Sequence, residues 1–315
     1  MIKRKNYMFY HFHHNSMNKI LQNIILISLL IVSNVYPQNE IRNKFTLGIS
    51  TDIFEDINLR DAKVTLKLWG QLLISEMPIV DSLNIVVYEN VESIIEDSKK
   101  NKIDIMYISS LMYAKYEDKI NLTPAISTKS NYQDFYHLDL LSNTKSNAEK
   151  FEDLKNSTIL IQGGKYKQIA ELWLDYLALQ SGVKDKYKFF KKVEFVEKPM
   201  QAVLPIFMNK ADYCIVNSVS LEALAELNPQ ITKGLKHVFS SQPLNNDLIC
   251  INKNLTPKEK KLVTDIALNF KTMPKNEQLF KIFKTIGAGK FKESDLEGIR
   301  SLLKNYKNLL VANKP

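Results

Sequence analysis

Apolar residues recur along the chain with two alternating periods. Short strand-like runs at 45–50, 84–88 and 103–108 alternate with stretches whose apolar positions fall three or four apart. Leu59, Ala62, Leu66, Trp69, Leu73 and Met77 share one helical face, with Asn58 placed to cap it and Pro78 to end it. A second helix is predicted over 91–99, and a third opens at Ser109-Ser110. The order is β-α-β-α-β, the signature of an α/β protein with largely parallel sheets.

The same order returns from Thr158: strand 158–162, helix 166–181 closed by Gly182, strand 193–196, helix 199–208, strand 212–216, then a helix from Ser220. The segment from Asn101 to Ser110 (NKIDIMYISS) aligns without a gap on Asn209 to Ser218 (NKADYCIVNS), with four identities in ten. The two tryptophans, Trp69 and Trp173, fall at matching places on the first helix of each half. Two similar lobes are predicted.

Extended segments at 136–141 and 247–251 flank the second half, so the chain is expected to leave one lobe, build the other and return. Thr256-Pro257-Lys258-Glu259 and Ser294-Asp295-Leu296-Glu297 read as capping boxes of C-terminal helices that pack back on the first lobe. The predicted organisation is a leader over 1–38, lobe one over 39–138, lobe two over 139–247, and a return to lobe one over 248–315. Two crossing strands make a hinge.

Composition adds limits. With 45% hydrophobic and 24% charged residues the chain is not disordered, and after residue 40 no apolar run approaches the ~20 residues of a membrane-spanning helix. The formal charge is +9, but Lys3, Arg4, Lys5 and Lys19 lie in a leader without acids. What remains is a mild excess, with basic runs at predicted helix ends among acids, so no nucleic-acid partner is expected. Cys214 and Cys250 lie in strand-like runs without metal spacing, and buried free thiols are expected ahead of a disulfide. Met17-Asn18-Lys19, the apolar stretch 20–32 and a polar exit near Pro37 match a secretory signal peptide, which predicts a periplasmic or otherwise exported protein. Retention of that stretch would leave a membrane tether.

In an open parallel sheet, ligands sit beyond the carboxyl ends of the strands, where helix N-termini offer unpaired N–H groups. Ser109, Ser110, Asn217 and Ser218 occupy that position in both halves, and the same residue types also serve as helix caps. The loops after each first strand carry Thr51, Asp52 and Phe54, and Gly163, Gly164, Lys165 and Tyr166. Paired glycines allow close backbone approach, and Lys165 suits an anion. Phe54 and Tyr166 suit a ligand's apolar face, although Gly163-Gly164 also reads as a tight turn and Phe54 as core. Asp52 suits an amine, a hydroxyl or backbone. No G-x-S-x-G, H-E-x-x-H or phosphate-loop motif occurs, and Gly287-Ala288-Gly289-Lys290 resembles the last only superficially. His137 and His237 have no recognisable partner. No catalytic residue, metal or cofactor is expected, and binding without chemistry is favoured over an enzyme.

The run 45–50 (FTLGIS), the Leu68-Trp69 helix, Lys102 to Ser109, Phe151-Glu152-Asp153-Leu154-Lys155 before a strand, and Ala202-Val203 leading to Asn209-Lys210-Ala211-Asp212 have a joint likeness. Together they resemble the phosphate/phosphonate ABC-transporter substrate-binding proteins over residues 44–290. The resemblance implies a two-lobed fold of the type 2 periplasmic binding protein class. It also implies a cleft that closes on a small polar or anionic ligand, and docking on a membrane permease. By position it places Ser109 and Ser110, Gly163 to Tyr166, and Asn217 and Ser218 at the ligand. The sequence departs from the family pattern in two places: a Ser/Thr doublet is missing at the second helix start, and Asn217 replaces an acid. A membrane-tethered sensing module of the same fold is the alternative reading.

Overall fold

The ten aligned residues of the two halves perform the same structural task twice. A computed structural model describes residues 41–54, 59–75, 80–129, 134–269 and 287–313. The predicted leader, Asn58, Met77 and Pro78 lie outside the described residues. Asn101 and Asn209 both take left-handed backbone, with φ of 55° and 56°. Each follows a helix, Val91–Lys99 or Pro199–Phe207. The asparagine N–H bonds the carbonyl of Ser98 or Ile206, and the next lysine's N–H bonds that of Asp97 or Pro205. This double bond pattern is the Schellman ending, which satisfies two of the carbonyls a helix otherwise leaves open. Further on, the carboxylates of Asp104 and Asp212 accept the N–H of Thr46 and Thr158, at 2.8 and 2.7 Å. The repeat therefore encodes how a helix stops and how the following strand is tied to the first strand of its half.

The first half supplies β1 (Lys44–Ser50), α1 (Leu59–Ser75), β2 (Ser82–Tyr88), α2 (Val91–Lys99), β3 (Ile105–Ser109) and α3 (Ser110–Tyr116). After β4 (Leu122–Lys129), the chain crosses through β5 (Phe135–Tyr136) into β6 (Leu138–Asn143). The second half follows with β7 (Thr158–Gln162), α4 (Lys167–Gln180), β8 (Lys192–Val196), α5 (Pro199–Phe207), β9 (Tyr213–Asn217), α6 (Ser218–Leu227) and β10 (Leu235–Ser240). It returns through β11 (Leu244–Asn245) to β12 (Asp247–Asn252), α7 (Pro257–Asn269), β13 (Gly287–Lys290) and α8 (Glu297–Ala312). Strand order is β13-β4-β12-β3-β1-β2 in one sheet and β10-β6-β9-β7-β8 in the other. Parallel pairing holds for β3-β1-β2 and β9-β7-β8. The expectation of largely parallel sheets needs correction beyond those three strands. The crossing strands β12 and β6 enter from the other sheet and therefore pair antiparallel, on β3 and β9.

The crossings are held by equivalent serines. β5 and β11 pair with each other as a two-stranded antiparallel ribbon. Ser110 donates its N–H to Asn246 O at 3.2 Å and its hydroxyl to Asn245 O at 2.7 Å. Its counterpart, Ser218, donates its N–H to His137 O at 2.8 Å and accepts the His137 N–H on Oγ at 3.0 Å. Each serine thus grips the chain segment that passes between the sheets.

Ile94, Ile103, Met106, Ile108 and Leu122 are shut inside the first sheet's core, and Ile159, Ile161, Trp173 and Leu174 inside the second's. The last helix departs from expectation. Ile299, Leu302 and Leu303 join the core around Trp173 and Leu174. Their spacing gives α8 an apolar stripe that matches α4. On its other side Arg300 forks onto the Glu117 carboxylate just beyond α3, at 3.1 and 2.6 Å. Gly298 lies so near the second crossing that a Cβ there would stand 1.9 Å from Pro243 O. The Thr256/Glu259 capping box forms. The Ser294/Glu297 box does not: the Asp295 carboxylate accepts the Lys292 N–H in a short turn ahead of α8. Cys214 and Cys250 are free and buried, one on β9 and one on β12.

At the left-handed position, Asn209→Gly is expected to leave the unfolding temperature unchanged. Asn209→Val should cost about 1–2 kcal/mol, the cost of forcing a Cβ-branched residue into that backbone, measurable by denaturant titration.

Candidate functional site

Two short turns aim polar side chains at the space beside the crossings. β1 ends at Ser50 and a 3-10 turn, Thr51–Ile53, follows at once. Because β1 lies beside β3, the turn places Asp52 against Ser109 at the β3 tip, and the Ser109 hydroxyl donates to the Asp52 Oδ2. In the second half Gly163 donates its N–H to Val196 O at 2.7 Å, and Gly164 takes φ 59°. That left-handed residue lets the chain fold into the turn Gly164–Tyr166 directly after β7, where a side chain would be strained. The turn brings Lys165 and Tyr166 to the same space that Asp52 lines.

A small cavity of about 30 Å³ results, partly open to solvent. Asp52, Ser109 and Ser110 line it from the first half, and Lys165, Tyr166 and Gln168 from the second. Tyr136, Asn246 and Asp247 close it from the crossings, with Leu111 and Ile169 as its apolar wall. Lys165 Nζ approaches Asp247 Oδ2 at 3.4 Å, and both side chains are almost fully buried. The ammonium also stands 5.1 Å above the Tyr166 ring, and the Tyr107 hydroxyl reaches the same carboxylate oxygen at 3.4 Å. Burial pushes the Asp247 carboxyl above its ordinary range; Lys165 opposes this, and the neighbouring Asp52 charge adds to it. Burial raises Asp52 as well, against the pull of the Ser109 hydroxyl. Among the described residues, two buried side-chain polar atoms are left without a hydrogen-bond partner, Asp52 Oδ1 and Asn246 Nδ2. Both belong to residues of this cavity.

Of the residues singled out in the sequence, Asp52, Ser109, Ser110, Lys165 and Tyr166 meet in the cavity. Thr51, Gly163, Gly164, Asn217 and Ser218 do not line it, and neither does Phe54. Phe54 packs with Ile49, Ile53, Ala62 and Leu66 as core. Asn217 is fully buried and caps α6 by accepting the Ser220 N–H at 2.8 Å, while its amide donates to Gln162 Oε1 at 2.9 Å. That cap starts α6 at Ser218, two residues ahead of the expected position. Ser109 combines both roles: its oxygen also accepts the Met112 N–H as the cap of α3. Sequence reasoning missed Tyr136, Gln168, Asn246 and Asp247. The signal for the last two was the polar run Asn245-Asn246-Asp247 opening an otherwise apolar strand, opposite Ser109 in register. His137 bonds Ser241 O through Nδ1 at 2.8 Å and serves the crossing; His237 meets Asp139 at 3.3 Å away from the cavity.

Two mixed sheets flanked by helices, joined by two crossings with a polar cavity beside them, define the type 2 periplasmic binding protein fold. Solved structures share it. A Xanthomonas citri protein bound to ATP matches with a TM-score of 0.61 and 11% identity, over 87% of this chain and all of that one. A binding protein component of an ABC phosphonate transporter from Pseudomonas aeruginosa matches at 0.58 and 17%, over 87% and 89%. A Prochlorococcus marinus protein in complex with methylphosphonate matches at 0.56 and 14%, over 84% and 98%. None of the curated proteins matches in sequence. The model of the family "ABC transporter, phosphonate, periplasmic substrate-binding protein" matches residues 76–297, well over half of the chain, and the chain belongs to that family.

Two stability measurements check the electrostatics. Lys165→Met leaves Asp247 buried beside no cation and is expected to cost about 3 kcal/mol in denaturant unfolding. Asp52→Asn removes a buried charge and should raise the unfolding temperature of the ligand-free protein at neutral pH. The sign follows from a folded carboxyl held above its unfolded value of 3.8. The penalty is present above the folded pKa, shrinks as pH falls through it, and is gone below the unfolded one. The advantage of the variant should vanish in the same window in a pH series of thermal melts.

Proposed function

We propose that this protein is an exported solute-binding protein. It captures a small polar or anionic ligand of the phosphate/phosphonate-like class between two lobes, one on each sheet, and delivers it unchanged to the permease of an ABC transporter. The observation that carries this reading is the cavity itself: residues from both halves and from both crossings face one space at the hinge. Asp52, Ser109, Ser110, Lys165 and Tyr166 are the ligand contacts in this reading, joined by Asn246 and Asp247. Family membership supports the transport role. The leader with its apolar stretch 20–32 supports export to the periplasm. No helix among the described residues is long and apolar enough to cross a membrane.

Because ligand binds the folded chain alone, saturating solute at a hundredfold over Kd should stabilise it by about 2.7 kcal/mol. Closure around Tyr136 and Tyr166 should change the intrinsic fluorescence at the same concentrations. A panel of phosphate, alkylphosphonates, aminophosphonates and sulfonates read by thermal shift and fluorescence tests this. No response to any of them, from protein that carries no solute when isolated from its own cells, would remove the reading.

A further inference from the structure

Among the described residues the two large sheets end in four edge strands, β2 and β13 in one, β8 and β10 in the other. An edge strand offers unpaired N–H and C=O groups to any passing chain, and charged side chains along it are a common protection. β8 carries Lys192 and Glu194, β10 carries Lys236 and His237, and β13 carries Lys290. β2 (SLNIVVY) carries no charge, and among the described residues no strand pairs with its outer edge.

Beside that edge lies a groove of about 500 Å³, open to solvent along one side. Its floor is the apolar alternation of β2: Leu83, Ile85 and Val87 line it, half-buried, while Val86 and Tyr88 turn to the core on the other face. Its wall is one stripe of α1 at helical spacing, Lys63, Lys67, Gln71 and Ile74. Gly70 lets the helix lie close on the strand, since a Cβ there would stand 2.8 Å from Ile85 Cδ1. The groove has two unlike ends. Lys63 meets Glu89, just beyond β2, at 3.0 Å, so the lysines lie toward Val87 and Ile74 toward Leu83.

An occupant that satisfies this groove brings an extended backbone to β2, apolar side chains to the Ile74 end and acidic ones to Lys63 and Lys67. A second copy of the chain fails the last demand, because pairing β2 with β2 brings four lysines into one groove whose lining has no carboxylate. A lipid surface leaves the backbone groups of the edge unmatched. We propose that β2 is a docking edge for a partner protein, which adds an extended segment, apolar at one end and acidic at the other, as the seventh strand of the sheet.

Fluorescence anisotropy of labelled eight-residue peptides with the full chain tests this. In one peptide, threonines alternate with two valines and then two glutamates; a second reverses that order, because a strand can add to the edge in either direction. One of the two is expected to bind saturably, and its lysine-for-glutamate counterpart at least about tenfold more weakly. Methylation of the peptide's backbone nitrogens should abolish binding, and hydrogen exchange at the β2 amides should slow in the complex. Lys63→Glu combined with Lys67→Glu, both at exposed positions, should reverse the charge preference while the variant melts with the parent. No saturable binding of either peptide below about 1 mM overturns the proposal. So does binding that survives backbone methylation, or that is indifferent to the glutamates. A chain that sediments as a dimer with protected β2 amides, and that Asn84→Lys returns to monomer, gives the edge to a second copy and overturns the proposal as well.

Discussion

The structure turns on the grip that two serines exert on the two segments passing between the sheets. A hinge must be pliable enough to bend yet must not let its strands slide, because a slip by one residue would turn every side chain of β6 or β12 to the opposite face. Ser110 and Ser218 meet that constraint with backbone and side-chain bonds together. The register beyond each grip follows: Asp247 opposite Ser109, Leu138 opposite Asn217. The cavity exists where it does because Asn246 and Asp247 are delivered to it by the second of these segments. The same device recurs in both halves, yet of the two equivalent serines only Ser110 lines the cavity.

Most of the architecture was legible in the amino-acid order because it is written in local chemistry. Apolar period, Pro199 at a helix start, and the shared Asn-Lys-x-Asp segment each act within a few residues, and the structure bears out the element order they predict. Boundaries slipped where a side chain intervened, as when the Asn217 amide began α6 early. The packing of α8 was misjudged because an amphipathic stripe states that a helix needs a partner and says nothing about which one.

Roughly half of the candidate residues converge, for a physical reason of the same kind. Positions at strand tips and in the turns after them can be inferred from topology, and Asp52, Ser109, Ser110, Lys165 and Tyr166 were found that way. Whether such a residue faces a ligand or completes a cap depends on distances between segments far apart in the chain. Asn217 and Phe54 were absorbed by capping and core. Asp247 opens, and Asn246 directly precedes, a strand that looks unremarkable until its pairing partner is known.

The absence of a side chain at Gly298 carries a consequence for the moving parts. That residue lets the terminal helix lie directly on the Pro243 carbonyl, while its neighbour Arg300 holds the end of α3 and Leu302 sits in the opposite core. The helix is thereby a strut laid across the second crossing, fastened to both halves at once. A methyl group added there, at a residue that does not line the cavity, would act as a wedge that forces the strut off the crossing.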